Sequence, residues 1–170
     1  MERYPESRLL YAIREIEPDD CAPIRSVAEA WWGSPVESDC LTKWFFRHFR
    51  QTCFVAVKEG RIVGFVLGFL SQSLPDEAYI RLVMVAPDCR GTGIARALYD
   101  EFIETVRDLG RSAVVCVTAP TKSGSIAFHT RLGFRMDAQD RIAEGLPVCD
   151  DYDGRGGRRV VFRLELKDRV

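Results

Sequence analysis

Between Val83 and Ala95 the chain reads Val-Met-Val-Ala-Pro-Asp-Cys-Arg-Gly-Thr-Gly-Ile-Ala, and this stretch limits the possible folds more than any other. An apolar strand ends at a proline-marked turn, a loop with glycines at 91 and 93 comes next, and an amphipathic helical pattern begins. A strand that feeds a helix through so short a loop gathers several unpaired backbone N–H groups at one point. The positive end of the helix dipole sits there too. The result is an anion site that suits a pyrophosphate.

Three kinds of phosphate loop differ in the residues just after their glycines. A P-loop needs Gly-Lys-Ser/Thr, and here Gly93 is succeeded by Ile94 and Ala95. A dinucleotide fingerprint needs a third small residue at 96, which is Arg96, and an acidic residue closing the next strand. The next apolar run, Ala113 to Thr118, ends without one. A glycine-rich helix start with no ligand stays open, since a lone Gly-x-Gly does not separate the two.

A second segment lies further along: Ser123-Gly124-Ser125-Ile126-Ala127-Phe128-His129-Thr130-Arg131-Leu132-Gly133-Phe134. Together the two resemble the signature segments of the GNAT superfamily, the acetyl-CoA-dependent N-acetyltransferases. Arg90, Gly93 and Ala95 match that family's Arg/Gln-x-x-Gly-x-Gly/Ala loop. The second segment looks like its Ser-x-x-Phe-Tyr-x-x-x-Gly-Phe pattern, with His129 where Tyr is usual. The resemblance spans residues 10–136 and loosens beyond them.

Composition is compatible with such a protein. The 170 residues make one domain of ordinary size, 1–170, able to bury a substantial core. With 46% hydrophobic and 29% charged residues it reads as a soluble globular chain. A formal net charge of −1 argues against bulk electrostatic binding to nucleic acid or to an acidic membrane. No signal-peptide pattern comes after Met1, and no apolar run approaches the roughly 20 residues that span a bilayer. The cysteines, at 21, 40, 53, 89, 116 and 149, show no C-x-x-C spacing and read as buried free thiols of a cytoplasmic protein. With two histidines and scattered cysteines, no metal site is expected.

Periodicity along the chain predicts a first strand over 11–16 and a helix from the Glu17-Pro18-Asp19-Asp20 break to about Trp31. A turn at Gly33-Ser34-Pro35 precedes a second helix over about 38–50, then a hairpin of 52–57 with 62–70. A strand over 77–85, a helix over 92–109 and a strand over 113–118 make a parallel βαβ unit. The helix carries its apolar stripe at Ile94, Leu98, Phe102, Val106 and Leu109. A short helix over 124–132, a loop over 137–157 and a closing strand over 159–166 complete the chain. The expected fold is α/β of α+β type. Its mixed central sheet has an antiparallel front half and a splayed parallel βαβ back half, with helices on both faces, an order that the resemblance also implies.

The resemblance implies acetyl-CoA as co-substrate, its pyrophosphate on Arg90, Gly91, Thr92, Gly93, Ile94 and Ala95. Its pantetheine arm would pair as an added strand with the backbone of Val83, Met84 and Val85. A backbone N–H near Val85 would polarise the thioester carbonyl, where one such donor supplies about 3 kcal/mol of barrier reduction. Lys122, Ser125, Phe128 and Arg131 fall on the cofactor side. Lys122 stands where many relatives carry an Asn, and a lysine cannot accept the hydrogen bond that Asn would.

Acetylating an amine takes two proton transfers, one off the ammonium and one to the departing thiolate. His129 falls where the family places its acid, and an imidazole of pKa about 6.5 carries a proton near neutral pH. Simple hydrogen bonding near the cofactor is the other reading. Glu77 falls where ribosomal-protein alanine acetyltransferases, which this strand register resembles, place an acid acting through water. Tyr79, on the same strand face, is the second candidate base or a substrate contact, and a solvated Glu77 stays open. For the acceptor side the resemblance points to Trp31, Trp32 and Tyr79, together with Trp44, Phe45, His48 and the loop at Asp150-Asp151-Tyr152-Asp153. Aromatics at helical spacing also read as core, but Trp31 and Trp32 are adjacent and cannot share one stripe. The implied function is transfer of acetyl to a primary amine, small or on a peptide, by direct attack in a ternary complex. A silent acyl-CoA sensor of the same fold is the alternative, and a homodimer is compatible with either.

Overall fold

The computed structural model describes residues 11–33 and 39–166. The strands β1 (Ala12–Glu15), β2 (Cys53–Lys58), β3 (Arg61–Leu70), β4 (Glu77–Val85), β5 (Ala113–Thr118), β6 (Arg135–Met136), β7 (Arg141–Ala143), β8 (Leu146–Val148) and β9 (Val160–Glu165) are joined, among the described residues, by four helices. These are α1 (Cys21–Trp32), α2 (Lys43–His48), α3 (Ile94–Asp108) and α4 (Ser123–Arg131). Seven strands share a mixed sheet in the order β1-β2-β3-β4-β5-β9-β6, and β7 and β8 pair separately. The chain divides into two compact units, one of residues up to Gly68 with Leu82–Glu104, the other of Phe69–Arg81 with the rest from Thr105.

In the first unit β1 runs antiparallel to β2, and β2 to β3. The hairpin turns on Glu59 and Gly60, both left-handed at φ 51° and 75°, the geometry that matches the twist of two paired strands. Ile16, Ile24, Phe46, Phe65, Leu98 and Phe102 are completely buried and make its core. Arg14 clamps Asp20 through both guanidinium nitrogens, at 2.7 and 2.8 Å, and the Glu17 N–H adds a third bond at 2.8 Å. Burial works to raise the Asp20 carboxyl, but these bonds outweigh it and hold the group below the usual carboxylate range.

At Gly64, in the middle of β3, α3 comes close to the strand. A Cβ there would meet Ile94 Cγ2 at 3.0 Å, Leu98 Cδ1 at 3.2 Å and the Met84 carbonyl oxygen at 3.2 Å. Absence of a side chain lets the first two turns of α3 press onto the strand, which sets where the helix begins.

In the second unit β4 pairs in parallel with β5 from Glu77–Ala113 to Ile80–Cys116, and β4 then continues to Val85. β9 runs antiparallel to β5 over six residue pairs and also holds β6. Val114, Val160 and Phe162 are fully buried here, with Val115 and Val161 nearly so.

Sequence periodicity places most elements within two residues of where they fall, but two expectations change. The helix anticipated over about 38–50 is only Lys43–His48, started by the Thr42 hydroxyl accepting from the Phe45 N–H and succeeded by a tight 3-10 turn at Arg50–Thr52. Residues 34–38, including most of the anticipated turn, lie outside the described residues. The stretch expected to be loop holds the β7–β8 hairpin, which reverses at Glu144 and Gly145 with φ 55° and 77°. Strands of three residues, one containing Pro147, are too short to show an alternation.

Replacing Gly64 by alanine is expected to destabilise the protein by about 1–3 kcal/mol through overpacking. In an open strand the same change would be favourable. Urea unfolding at constant m-value measures it.

Candidate active site

The loop between β4 and α3 follows the glycine-rich pattern of its sequence. The 3-10 turn Pro87–Cys89 comes after β4, with Cys89 buried beneath it and its carbonyl accepting from the Thr92 hydroxyl at 2.6 Å. Gly91 and Gly93 hold φ of 75° and 89°, and a Cβ on either would meet nothing within 4 Å. Glycine is needed there for its backbone angle, not for room. The first helical bond of α3 runs from the Ala97 N–H to the Gly93 carbonyl, so the N–H groups of Ile94, Ala95 and Arg96 precede the ladder. This 15-residue helix has no acidic residue in its first turn to compete with an incoming anion.

Arg90 departs from a simple phosphate ligand. Its guanidinium donates to the Trp31 carbonyl at 2.6 Å and to the Val85 carbonyl at 3.3 Å. Trp31 is half-buried and stacks on Phe65 with centroids 6.1 Å apart, whereas Trp32 is 46% exposed. Phe45 and Phe46 are core, but Trp44 is exposed against the edges of Phe45 and Phe49. Val83 and Val85 are half-buried and Met84 is buried.

In the second unit, α4 carries Ser125, Phe128, His129 and Arg131, with Lys122 at its N-cap. Arg131 and Lys122 are exposed, and Ser125 and Phe128 half-buried. His129 is 5% exposed, stacked on Phe162 at 5.0 Å and met edge-on by Phe128 and Phe134. Its Nδ1 lies 2.8 Å from the Ser125 carbonyl oxygen, a group that can only accept, so this nitrogen carries the proton. Burial pushes the His129 pKa down, against a smaller upward pull from that bond. The aromatic cage disfavours the imidazolium, which works against a role for His129 as proton donor.

Tyr79 stacks on Phe69 at 5.5 Å. Burial pushes its phenol pKa far up, and a hydrogen bond with Tyr152 adds to this. A phenol held in its protonated form is a poor base, which works against that role for Tyr79. Glu77 is half-buried, and its Oε1 accepts from Arg163, which also bonds Glu165. Nothing in the sequence marks Arg163 as its partner, since the two belong to strands far apart in the chain.

The acidic loop is neutralised from within. Asp150 pairs with Arg141 and Arg158, Asp153 with Arg159, and Asp151 Oδ1 accepts from the Gly156 N–H. Cys116 is buried in β5 and burial pushes its thiol pKa well up; Cys53 is likewise pushed up to about 12. Neither is a thiolate poised for attack. Among the described residues no cluster of His, Cys, Asp and Glu is placed to hold a metal ion, and no helix is long and apolar enough to cross a membrane.

A strand, a left-handed two-glycine loop and a helix start free of acids lie in sequence here, and comparison with known proteins gives the class. The chain belongs to the acetyltransferase (GNAT) family, whose profile matches residues 10–134. It is 36% identical over 127 residues to the L-2,4-diaminobutyric acid acetyltransferase of Halomonas elongata, covering 74% of this chain and 66% of that protein. It is 28% identical over 173 residues to the L-amino acid N-acyltransferase MnaT of Escherichia coli, covering 94% and 96%. The diaminobutyrate acetyltransferase EctA of Paenibacillus lautus, solved with L-2,4-diaminobutyric acid and coenzyme A, superposes with a TM-score of 0.71. That match covers 94% of this chain and 98% of that one at 19% identity, a likeness of fold alone. The chain spans 46% to 66% of the length of the first diaminobutyrate acetyltransferases that it matches.

The lowered His129 pKa has a measurable sign. The folded protein binds this proton more weakly than the unfolded chain, so stability is complete above about pH 6.5 and falls as pH drops below it. Urea midpoints at pH 7.5, 6.5 and 5.5 should show this acid-side loss, and His129→Phe should reduce it. Cys116 should resist iodoacetamide at pH 7.5 in the native protein and react after unfolding, as thiol counting would show.

Proposed function

We propose that the protein acetylates the primary amine of a small amino acid, with acetyl-CoA as donor and L-2,4-diaminobutyrate as the first acceptor to test. The anion loop carries this reading: two left-handed glycines ahead of a long helix with an acid-free first turn suit the pyrophosphate of CoA. The choice of acceptor comes from relatives named for diaminobutyrate and for L-amino acids.

The N–H groups of the Gly91–Ala95 segment hold the pyrophosphate, and the main chain of Val83 to Val85 pairs with the pantetheine. The neutral amine attacks the thioester carbonyl carbon, the C–N bond forms, and a backbone donor near Val85 takes the charge on the oxygen. The C–S bond then breaks and CoA leaves as thiolate, while the surplus proton of the amine passes to solvent. Glu77, which keeps Oε2 beyond its bond to Arg163, is the first candidate to assist that loss through water, with Tyr79 the second. Lys122, Ser125, Phe128 and Arg131 flank the cofactor, and Trp31, Trp32 and Tyr79 contact the acceptor. His129 positions α4 through its stack on Phe162. Its burial favours a second reading, an acyl-CoA sensor that binds without turnover.

Calorimetry with acetyl-CoA should give micromolar, saturable binding, with NADH as the control that gives none. Thiol release with L-2,4-diaminobutyrate and a panel of amino acids then separates enzyme from sensor. Gly93→Ala strains a left-handed position by about 1–2 kcal/mol and should weaken acetyl-CoA binding at least tenfold. Absence of acetyl-CoA binding would defeat both readings.

A further inference from the structure

Arg90 is exposed, yet two of its donors are committed to main-chain carbonyls from separate elements. Trp31 lies in the last turn of α1, a helix with no basic residue of its own there. The helix ends at left-handed Gly33, whose N–H bonds the Glu29 carbonyl at 2.9 Å. Its terminal carbonyls carry the negative end of the helix dipole, and Arg90 supplies the missing cation from the anion loop. The second carbonyl, of Val85, is the last of β4. One guanidinium thus fastens a helix end and a strand end to the loop that opens α3.

We propose that Arg90 is a positioning residue that couples occupancy of the Gly91–Ala95 loop to the conformation of the Trp31–Trp32 end of α1. The inference rests on the reading of that loop as the CoA site. Glycine at 91 and 93 gives the loop backbone freedom that other residues lack, and a bound diphosphate would favour the state in which its N–H groups converge. Arg90 adjoins Gly91, so selecting that state also selects the one in which its fork meets both carbonyls. The acceptor-side tryptophans are then ordered by the donor, and by reciprocity an acceptor on them tightens CoA.

Trp31 reports this directly. In a Trp32→Phe/Trp44→Phe protein it is the sole tryptophan. Titration with CoA should change its emission with a midpoint equal to the calorimetric dissociation constant. Arg90→Lys and Arg90→Ala should still bind CoA within about tenfold, while the Trp31 change falls at least threefold. Lysine keeps the charge, but a single ammonium does not reproduce the fork, so Arg90→Lys carries the test if Arg90→Ala fails to fold. An undiminished Trp31 response in Arg90→Lys would overturn the coupling. So would calorimetric heat with no Trp31 response in the parent, with the cofactor reading left intact. No heat with CoA would overturn the cofactor reading and the coupling together.

Discussion

The seating of α3 on β3 is the contact on which the placement of the β4–α3 loop depends. Ile94 and Leu98 approach the backbone of Gly64 so closely that a methyl group would collide with both and with the Met84 carbonyl. That contact fixes the helix axis and therefore the spot at which its first N–H groups emerge. Left-handed glycines at 91 and 93 then bring the chain from β4 to that spot within a few residues. The proposed anion contact would be made by backbone N–H groups, so it asks of these positions only the right backbone angles.

Many of the charged groups near the candidate residues are engaged by other protein groups. Glu77 answers Arg163, the aspartates of the 150–153 loop answer Arg141, Arg158, Arg159 and a backbone N–H, and Arg90 answers two carbonyls. An acidic loop that looks suited to a cationic amine in sequence thus has its carboxylates occupied. Trp32 in the first unit and Tyr152 in the second stay partly exposed.

His129 shows how environment decides a residue's chemistry. At the position where the family resemblance puts a proton donor, the imidazole is enclosed by Phe128, Phe134 and Phe162 and donates to its own helix. The same enclosure that makes it useful to packing disfavours its charged form.

Elements governed by local rules were legible in the sequence by itself: the β4–loop–α3 junction, the hairpin at Glu59-Gly60, the parallel β4–β5 pair, and the stripe through Ile94, Leu98 and Phe102. Helical and strand periods and the glycines of a tight loop act over a few residues, so their spacing alone reveals them. The three-residue strands β7 and β8 were too short for a period. The Glu77–Arg163 pair, the hold of Arg90 on Trp31 and the cage around His129 were decided only by the tertiary structure. Each depends on which distant side chain arrives beside a group, and a pKa or an ion pair is set by that neighbour rather than by the residue's own name.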